Sequence, residues 1–203
     1  MRIFQLGLLT LTGLSLYGAG TLAQGERDFA MSNLHATRKL FLDSVANLSP
    51  AQWNFKPGPD RWSIAECAEH IALSEDLLAG SAKGTLKTPA EPGKAVSGNA
   101  GREKDQKIID GVTDRSRKAQ APEPLQPKHK FATPAEAVEH FRQSRDANID
   151  YIEKTSDDLR SHFAAGPVGP IDGYQWFLLM SAHTERHTRQ ILEVKADPKF
   201  PKK

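Results

Sequence analysis

The chain reads as an all-α protein, a four-helix bundle with a long crossover between its second and third helices. Three observations carry that expectation. Four segments, each roughly 17 to 27 residues long, repeat their apolar residues with the period of a helix. Aromatic residues make up only 7% of the 203, and strand-like runs of Val, Ile, Thr and Tyr are scarce. A single cysteine, Cys67, excludes an intrachain disulfide and a cysteine-rich zinc module. The remaining composition, 38% hydrophobic and 26% charged, suits one globular domain with a sizeable core. With 27 basic and 25 acidic residues the net charge is +2, which gives no global attraction for nucleic acid.

Residues 1–23 have the order of an export signal. Arg2 supplies the positive start and 3–17 an apolar stretch rich in leucine. Thr21 and Ala23 then stand where a cleavage site precedes Gln24. No cysteine follows for a lipid anchor, and Arg2 stands alone, so the twin-arginine pattern is missing. The expected location is periplasmic or secreted, with 24–203 as the mature domain and no stable membrane association after cleavage. Retention as an anchor is the alternative, although the stretch barely reaches the ~20 residues of a span.

The first helix is expected over 26–48, with Leu34, Phe41, Val45 and Leu48 on one stripe. Ser49-Pro50 ends it, because proline disfavours helix at the residue before it. The second starts at Ser63, where Ser63 and Glu66 form a capping box and Trp62 and Cys67 stand at staple positions. Ile64, Cys67, Ile71 and Leu78 make its stripe, and it fades near Gly80. The third starts at Thr133, with Pro134 at the first helical position and Glu136 completing a second box. Val138, Phe141, Ile149 and Ile152 face inward, and the helix ends around Leu159. The fourth starts at Asp172, boxed by Gln175 and stapled by Ile171 and Trp176, and stops before Asp197-Pro198.

Between the second and third helices, 81–132 is far longer than the ~2–8 residues usual in bundles, and reads as a crossover, a lid or a mobile excursion, a solvated crossover being the plain reading. Proline- and glycine-rich stretches flank a weak helical pattern over 103–118 that carries Ile108, Ile109 and Val112. No internal repeat is visible.

Chemistry concentrates on three histidines. His183 and His187 stand four apart in H-T-E-R-H, one turn apart on one helix face. That face also carries Met180 and Ile191, so the pair points into the bundle. His70 lies at the edge of the second helix's buried face, one turn from Cys67 and from Ser74, whose hydroxyl is within reach of the ring. Buried imidazoles need partners for their ring nitrogens, or a cation between them. Three neutral imidazoles with an open position are the arrangement of catalytic metal sites. Zinc, nickel and iron all accept such ligands. A metal-free, hydrogen-bonded cluster is the alternative. The string is not the metalloprotease H-E-x-x-H, because Thr184 stands where that motif has glutamate.

Residues 61–71, R-W-S-I-A-E-C-A-E-H-I, resemble the W-S-x-x-E-x-x-x-H signature of the DinB-like superfamily. Residues 183–191, H-T-E-R-H-T-R-Q-I, are similar to that family's closing H-x-x-x-H-x-x-Q-I, and 172–176 are similar too. The resemblance spans about 26–201. It implies an up-down-down-up bundle holding a divalent metal at His70, His183 and His187. It also implies transfer of low-molecular-weight thiols, or work on thiol adducts, as in the family's better understood members. The leader and the long 81–132 segment depart from the family's usual pattern. The expected partner is an unidentified small-molecule substrate, with a homodimer left open. The reading allows a metal-dependent transferase or hydrolase, or a non-catalytic bundle that binds a metal or ligand.

Other polar residues have plainer readings. Arg145 falls on the third helix's apolar stripe, either as an anchor for an anionic substrate or a metal-site carboxylate, or, more plainly, paired with an acid of the first or second helix or snorkelling outward. Cys67 packs, and Glu66 caps. His35, His129, His140 and His162 lie on polar faces or loops, and Lys199, Lys202 and Lys203 in a solvated tail.

Overall fold

The computed structural model describes residues 21–96, 98–116 and 120–202. Most of the expected leader, 1–20, lies outside the described residues. Among those described, no helix is long and apolar enough to cross a membrane.

Among the described residues, six α-helices and one hairpin follow in chain order. They are α1 (Gln24–Val45), α2 (Pro50–Asn54), α3 (Ile64–Thr85), α4 (Gly98–Thr113), α5 (Pro134–Lys154), β1 (Phe163–Gly166), β2 (Gly169–Asp172) and α6 (Gly173–Lys195). α1, α3, α5 and α6 form the bundle. Their directions follow from cross-helix contacts. Arg27 near the start of α1 donates to the Thr155 carbonyl beyond the end of α5, and the Tyr174 hydroxyl of α6 donates to the Glu26 carbonyl. α1 and α6 are therefore parallel, and α5 opposes them. The Trp176 indole of α6 reaches Thr85 at the far end of α3, so α3 runs with α5. The order is up, down, down, up.

The local rules account for most boundaries. Ser63 and Glu66 bond each other's backbone N–H, as do Asp172 and Gln175. At α5 the box is half made: Thr133 caps Glu136, but the Glu136 carboxylate accepts from Ala132 N–H instead. α1 stops at Val45, short of Leu48, because the chain turns through Asn47 at φ 56° and Ser49 caps the extra helix α2. α3 does not fade at Gly80; it continues to Thr85. α5 ends at Lys154, and Leu159 is buried in the turn beyond. The hairpin, absent from the sequence expectation, pairs 163–166 with 169–172. Gly173 lets α6 start against Leu159, because a Cβ there would lie 3.0 Å from a Leu159 methyl.

The core is in two apolar clusters. One surrounds Leu34, Leu78, Ile152, Phe177 and Met180; the other surrounds Phe41, Ile64, Ile71, Phe141 and Ile191. A buried polar layer contributed by all four bundle helices lies between them. Its centre is Arg145, fully buried and bonded to both Glu75 carboxylate oxygens at 2.9 and 2.5 Å. The guanidinium also donates to the Leu34 carbonyl, Thr37 Oγ1 and Thr184 Oγ1, each at 2.8 Å. Asn148 and Ser181 complete the layer. Of the readings of Arg145, pairing with an acid of the second predicted helix is the one found.

The segment between α3 and α5 is not a bare solvated loop. α4 lies along α6, five residues earlier than the expected 103–118, and Ile108 joins the first cluster. A second node fixes it. Arg160 is bonded to Asp105 of α4, to Asp172 and to Glu26, and stacks 3.9 Å over the Tyr174 ring.

Breaking a buried pair by removing one partner leaves the other charge uncompensated. Arg145→Met should cost about 3–5 kcal/mol in urea unfolding. The double variant Glu75→Leu with Arg145→Met should recover part of that loss.

Candidate metal centre

α3 and α6 antiparallel bring His70 against His183 and His187. His70 Nε2 lies 3.1 Å from His183 Nε2 and 3.1 Å from His187 Nε2. The three ligand atoms fall within 4.8 Å of one another. Imidazoles bound to one tetrahedral ion at about 2.0–2.1 Å place their nitrogens roughly 3.3 Å apart, so the triangle has the size of such a site. Cys67, although buried, is not part of this group, and burial pushes its thiol pKa well up.

The other ring nitrogens decide what the triangle contains. His70 Nδ1 lies 2.7 Å from the Leu125 carbonyl, which can only accept. Nδ1 therefore carries the hydrogen and Nε2 the lone pair. His187 Nδ1 faces Gln190 Oε1 at 3.1 Å, which assigns the same tautomer from the hydrogen-bond pattern. The Nε2 lone pairs of His70 and His187 then face each other at 3.1 Å with no hydrogen between them. His183 cannot repair this. If its Nε2 donates to His70, the His70–His187 contact remains two lone pairs. Its own Nδ1 is buried and, among the described residues, has no hydrogen-bond partner. A cation in the triangle satisfies all three Nε2 atoms, so the residues present fit a metal.

Electrostatics agree with neutral ligands. Burial lowers the pKa of His70 and takes His183 well below the usual imidazole range, helped by the neighbouring rings. Burial first, then the His70 ring, pushes His187 down to about 3. Arg186 and Arg115 act on His187 in the same direction. Arg115 donates to Arg186 O and pairs with the Glu193 carboxylate at 2.7 Å, and Arg186 donates to Val112 O.

Three contributors escaped the sequence reading. Leu125 acts through its carbonyl, which no side-chain pattern reveals. Gln190 stands three residues after His187, a helix spacing that did offer a signal. Trp62, expected as a staple, lies with its ring 4.9 Å from His70 and 6.0 Å from His187, and walls the site. Ser74 donates to the His70 backbone carbonyl and not to the ring. The other histidines stay apart. His140 pairs with Asp76, His162 bonds the Thr88 carbonyl, and His35 and His129 are exposed.

Comparison with known proteins agrees with this architecture. The model of the DinB superfamily matches residues 33–191, and the chain belongs to that superfamily. YuaE of Bacillus subtilis strain 168, an uncharacterized protein, is 24% identical over 166 residues, covering 81% of this chain and 96% of its own length. Among solved structures, YfiT from Bacillus subtilis superposes with a TM-score of 0.57 at 12% identity, covering 87% of this chain and 89% of that one. YfiT is described as a probable metal-dependent hydrolase with an unusual four-helix bundle topology. The likeness establishes the shared fold.

The neutral imidazoles have a consequence for the metal-free chain. A histidine depressed in the folded state and near 6.5 when unfolded gives full stability above 6.5, and that stability is lost as pH falls toward the folded value. For His187 the window is about 6.5 down to about 3. The unfolding free energy of the chelator-treated chain, from urea titrations, should fall through this window, by at most about 1.4 kcal/mol per pH unit from each such group. His187→Asn should make the fall shallower.

Proposed function

We propose that this member of the DinB superfamily is a metal-dependent hydrolase or transferase, with His70, His183 and His187 as the ligands of one divalent ion. The observation that carries the reading is the pair of Nε2 lone pairs fixed face to face at 3.1 Å by Nδ1 donors on their far sides. A dication held there supplies Lewis acidity and makes a nucleophile available at neutral pH from water or a thiol. Imidazole suits zinc, nickel and iron alike.

The chain's own residues do the rest. Leu125 and Gln190 hold the tautomers that present lone pairs inward. Trp62 keeps one side of the site apolar. Arg186, together with Arg115 in so far as Glu193 leaves its charge unanswered, biases the neighbourhood toward an anionic species, the deprotonated nucleophile or a charged substrate group. The substrate is a small molecule.

We also propose export, with the chain acting in the periplasm or outside the cell; the order of charge, apolar run and small residues in 1–23 supports it. Leu22 is buried in the first cluster, so cleavage after Ala23 would remove one core side chain along with the leader. N-terminal sequencing of protein from the native host should begin near Gln24. Cytosolic protein beginning at Met1 would refute export.

Metal analysis of the purified chain, made without a histidine tag, tests the site. The wild type should carry close to one equivalent of a divalent metal. His187→Ala, a change to the best helix former, should lose it together with the melting-temperature gain that binding confers. His140→Ala should keep the metal. Equal metal content in wild type and His187→Ala would refute the site. Turnover of thiol or ester substrates that vanishes with chelator marks an enzyme; full metal loading without it marks a binding bundle.

A further inference from the structure

The crossover between α4 and α5 reaches the His70 ring with a backbone atom, the Leu125 carbonyl. Something must hold that carbonyl where His70 needs it. The residue just before His70 does so from the neighbouring face of α3. Glu69 is buried, and its Oε1 accepts Lys128 N–H at 2.8 Å and Lys130 N–H at 3.1 Å. His129 between them sits at φ 56°, the left-handed turn that aims two flanking N–H groups at one oxygen. Successive N–H groups arranged this way form a concave nest for an anion, and here the anion is the chain's own carboxylate. Leu125, in the short 3-10 turn Glu123–Leu125, is itself buried. Consecutive residues of α3 thus grip one strap in opposite senses: Glu69 accepts from it and His70 donates to it.

Resting on the metal reading above, we propose that Glu69 is a positioning residue for the centre. By closing the 128–130 nest it holds the Leu125 carbonyl against His70, and so keeps the His70 hydrogen on Nδ1. If the strap lifts, the ring can flip, or can move its hydrogen to Nε2, into the middle of the ligand triangle. Either event withdraws a ligand without any ligand being mutated.

The test uses the full chain with Glu69→Ala, Glu69→Asp and Glu69→Gln. Two readouts are taken: zinc affinity by competition with a chromophoric chelator, and the His70 tautomer by nitrogen-15 NMR of the metal-free protein. Loss of a partner that orients a metal ligand typically weakens binding about 10–100-fold. Glu69→Ala should fall in that range and lose the pure Nδ1–H signal. Glu69→Asp, one methylene short, should fall part of the way, and carries the test if the alanine variant does not fold. Glu69→Gln keeps an oxygen that accepts the same two N–H groups, and should recover most of the affinity. A purely structural Glu69 would lower the melting temperature and leave zinc affinity and tautomer as in the wild type; that result overturns the proposal. A glutamine variant as weak as the alanine one overturns it too. A wild type that binds no zinc refutes the metal reading alone, and the tautomer comparison still decides the role of Glu69.

Discussion

Arg145 puts a positive charge at the centre of the bundle with none of it exposed, and the packing of all four helices answers to that charge. α3 supplies the Glu75 carboxylate, α1 the Leu34 carbonyl and the Thr37 hydroxyl, and α6 the Thr184 hydroxyl. Taking both charges out of water cancels much of their attraction, so the pair contributes little net stability over an apolar filling. What it contributes is register. Each helix can meet the guanidinium at one position along its length, and sliding by a turn would strand a buried charge. Two of these contacts stand next to the metal centre in sequence. Thr184 adjoins His183, and Glu75 lies five residues beyond His70. The node that fixes α3 against α6 thereby fixes the height at which the imidazoles meet.

At that height the chain accepts an arrangement that is unfavourable by itself. Three neutral rings converge, two with lone pairs opposed, and a buried nitrogen of the third has no partner among the described residues. The Nδ1 hydrogen bonds to Leu125 and Gln190 hold the rings in that orientation. Two lone pairs that oppose each other, each on a ring anchored from behind, have the form of a site organised for a cation before the cation arrives.

Much of this was legible in the chain. Capping boxes at Ser63 and Asp172 located α3 and α6 to within a residue, because the cap depends only on neighbours three positions apart. The i, i+4 histidines fixed their common face for the same reason, and the resemblance added the up-down-down-up order. Whatever depends on distant backbone was not legible. The Leu125 carbonyl has no sequence signature, and the hairpin strands F-A-A-G and G-P-I-D carry one β-branched residue, Ile171, too few to read as strand. The 81–132 segment looked like a solvated crossover because its prolines and glycines break periodicity. It folds over the bundle instead, through Asp105 bonded to Arg160 and Lys128 and Lys130 bonded to Glu69. Glu75 was invisible as the partner of Arg145 because only the packing of α3 on α5 selects it among the acids.

The partners behind the imidazoles also set the character of the centre. Metal-bound histidines often donate to carboxylates, which raises the basicity of the ring and softens the metal's charge. Here the acceptors are a peptide carbonyl and a carboxamide, both neutral. None of the three ligands is a carboxylate or a thiolate either. A dication in this triangle would keep nearly all of its charge, and the charged neighbours acting on His187 are guanidiniums, Arg186 and Arg115. The opposite end of the bundle has the reverse balance. Three carboxylates, Glu26, Asp105 and Asp172, surround the single guanidinium of Arg160, and burial there raises Asp172 to about 6. Spare negative charge is thus held at the end of α6 remote from the histidines. Among the described residues no carboxylate joins the three imidazoles, so an ion held there would meet its negative charge in a bound water, thiol or substrate, the condition under which a three-histidine centre activates a nucleophile.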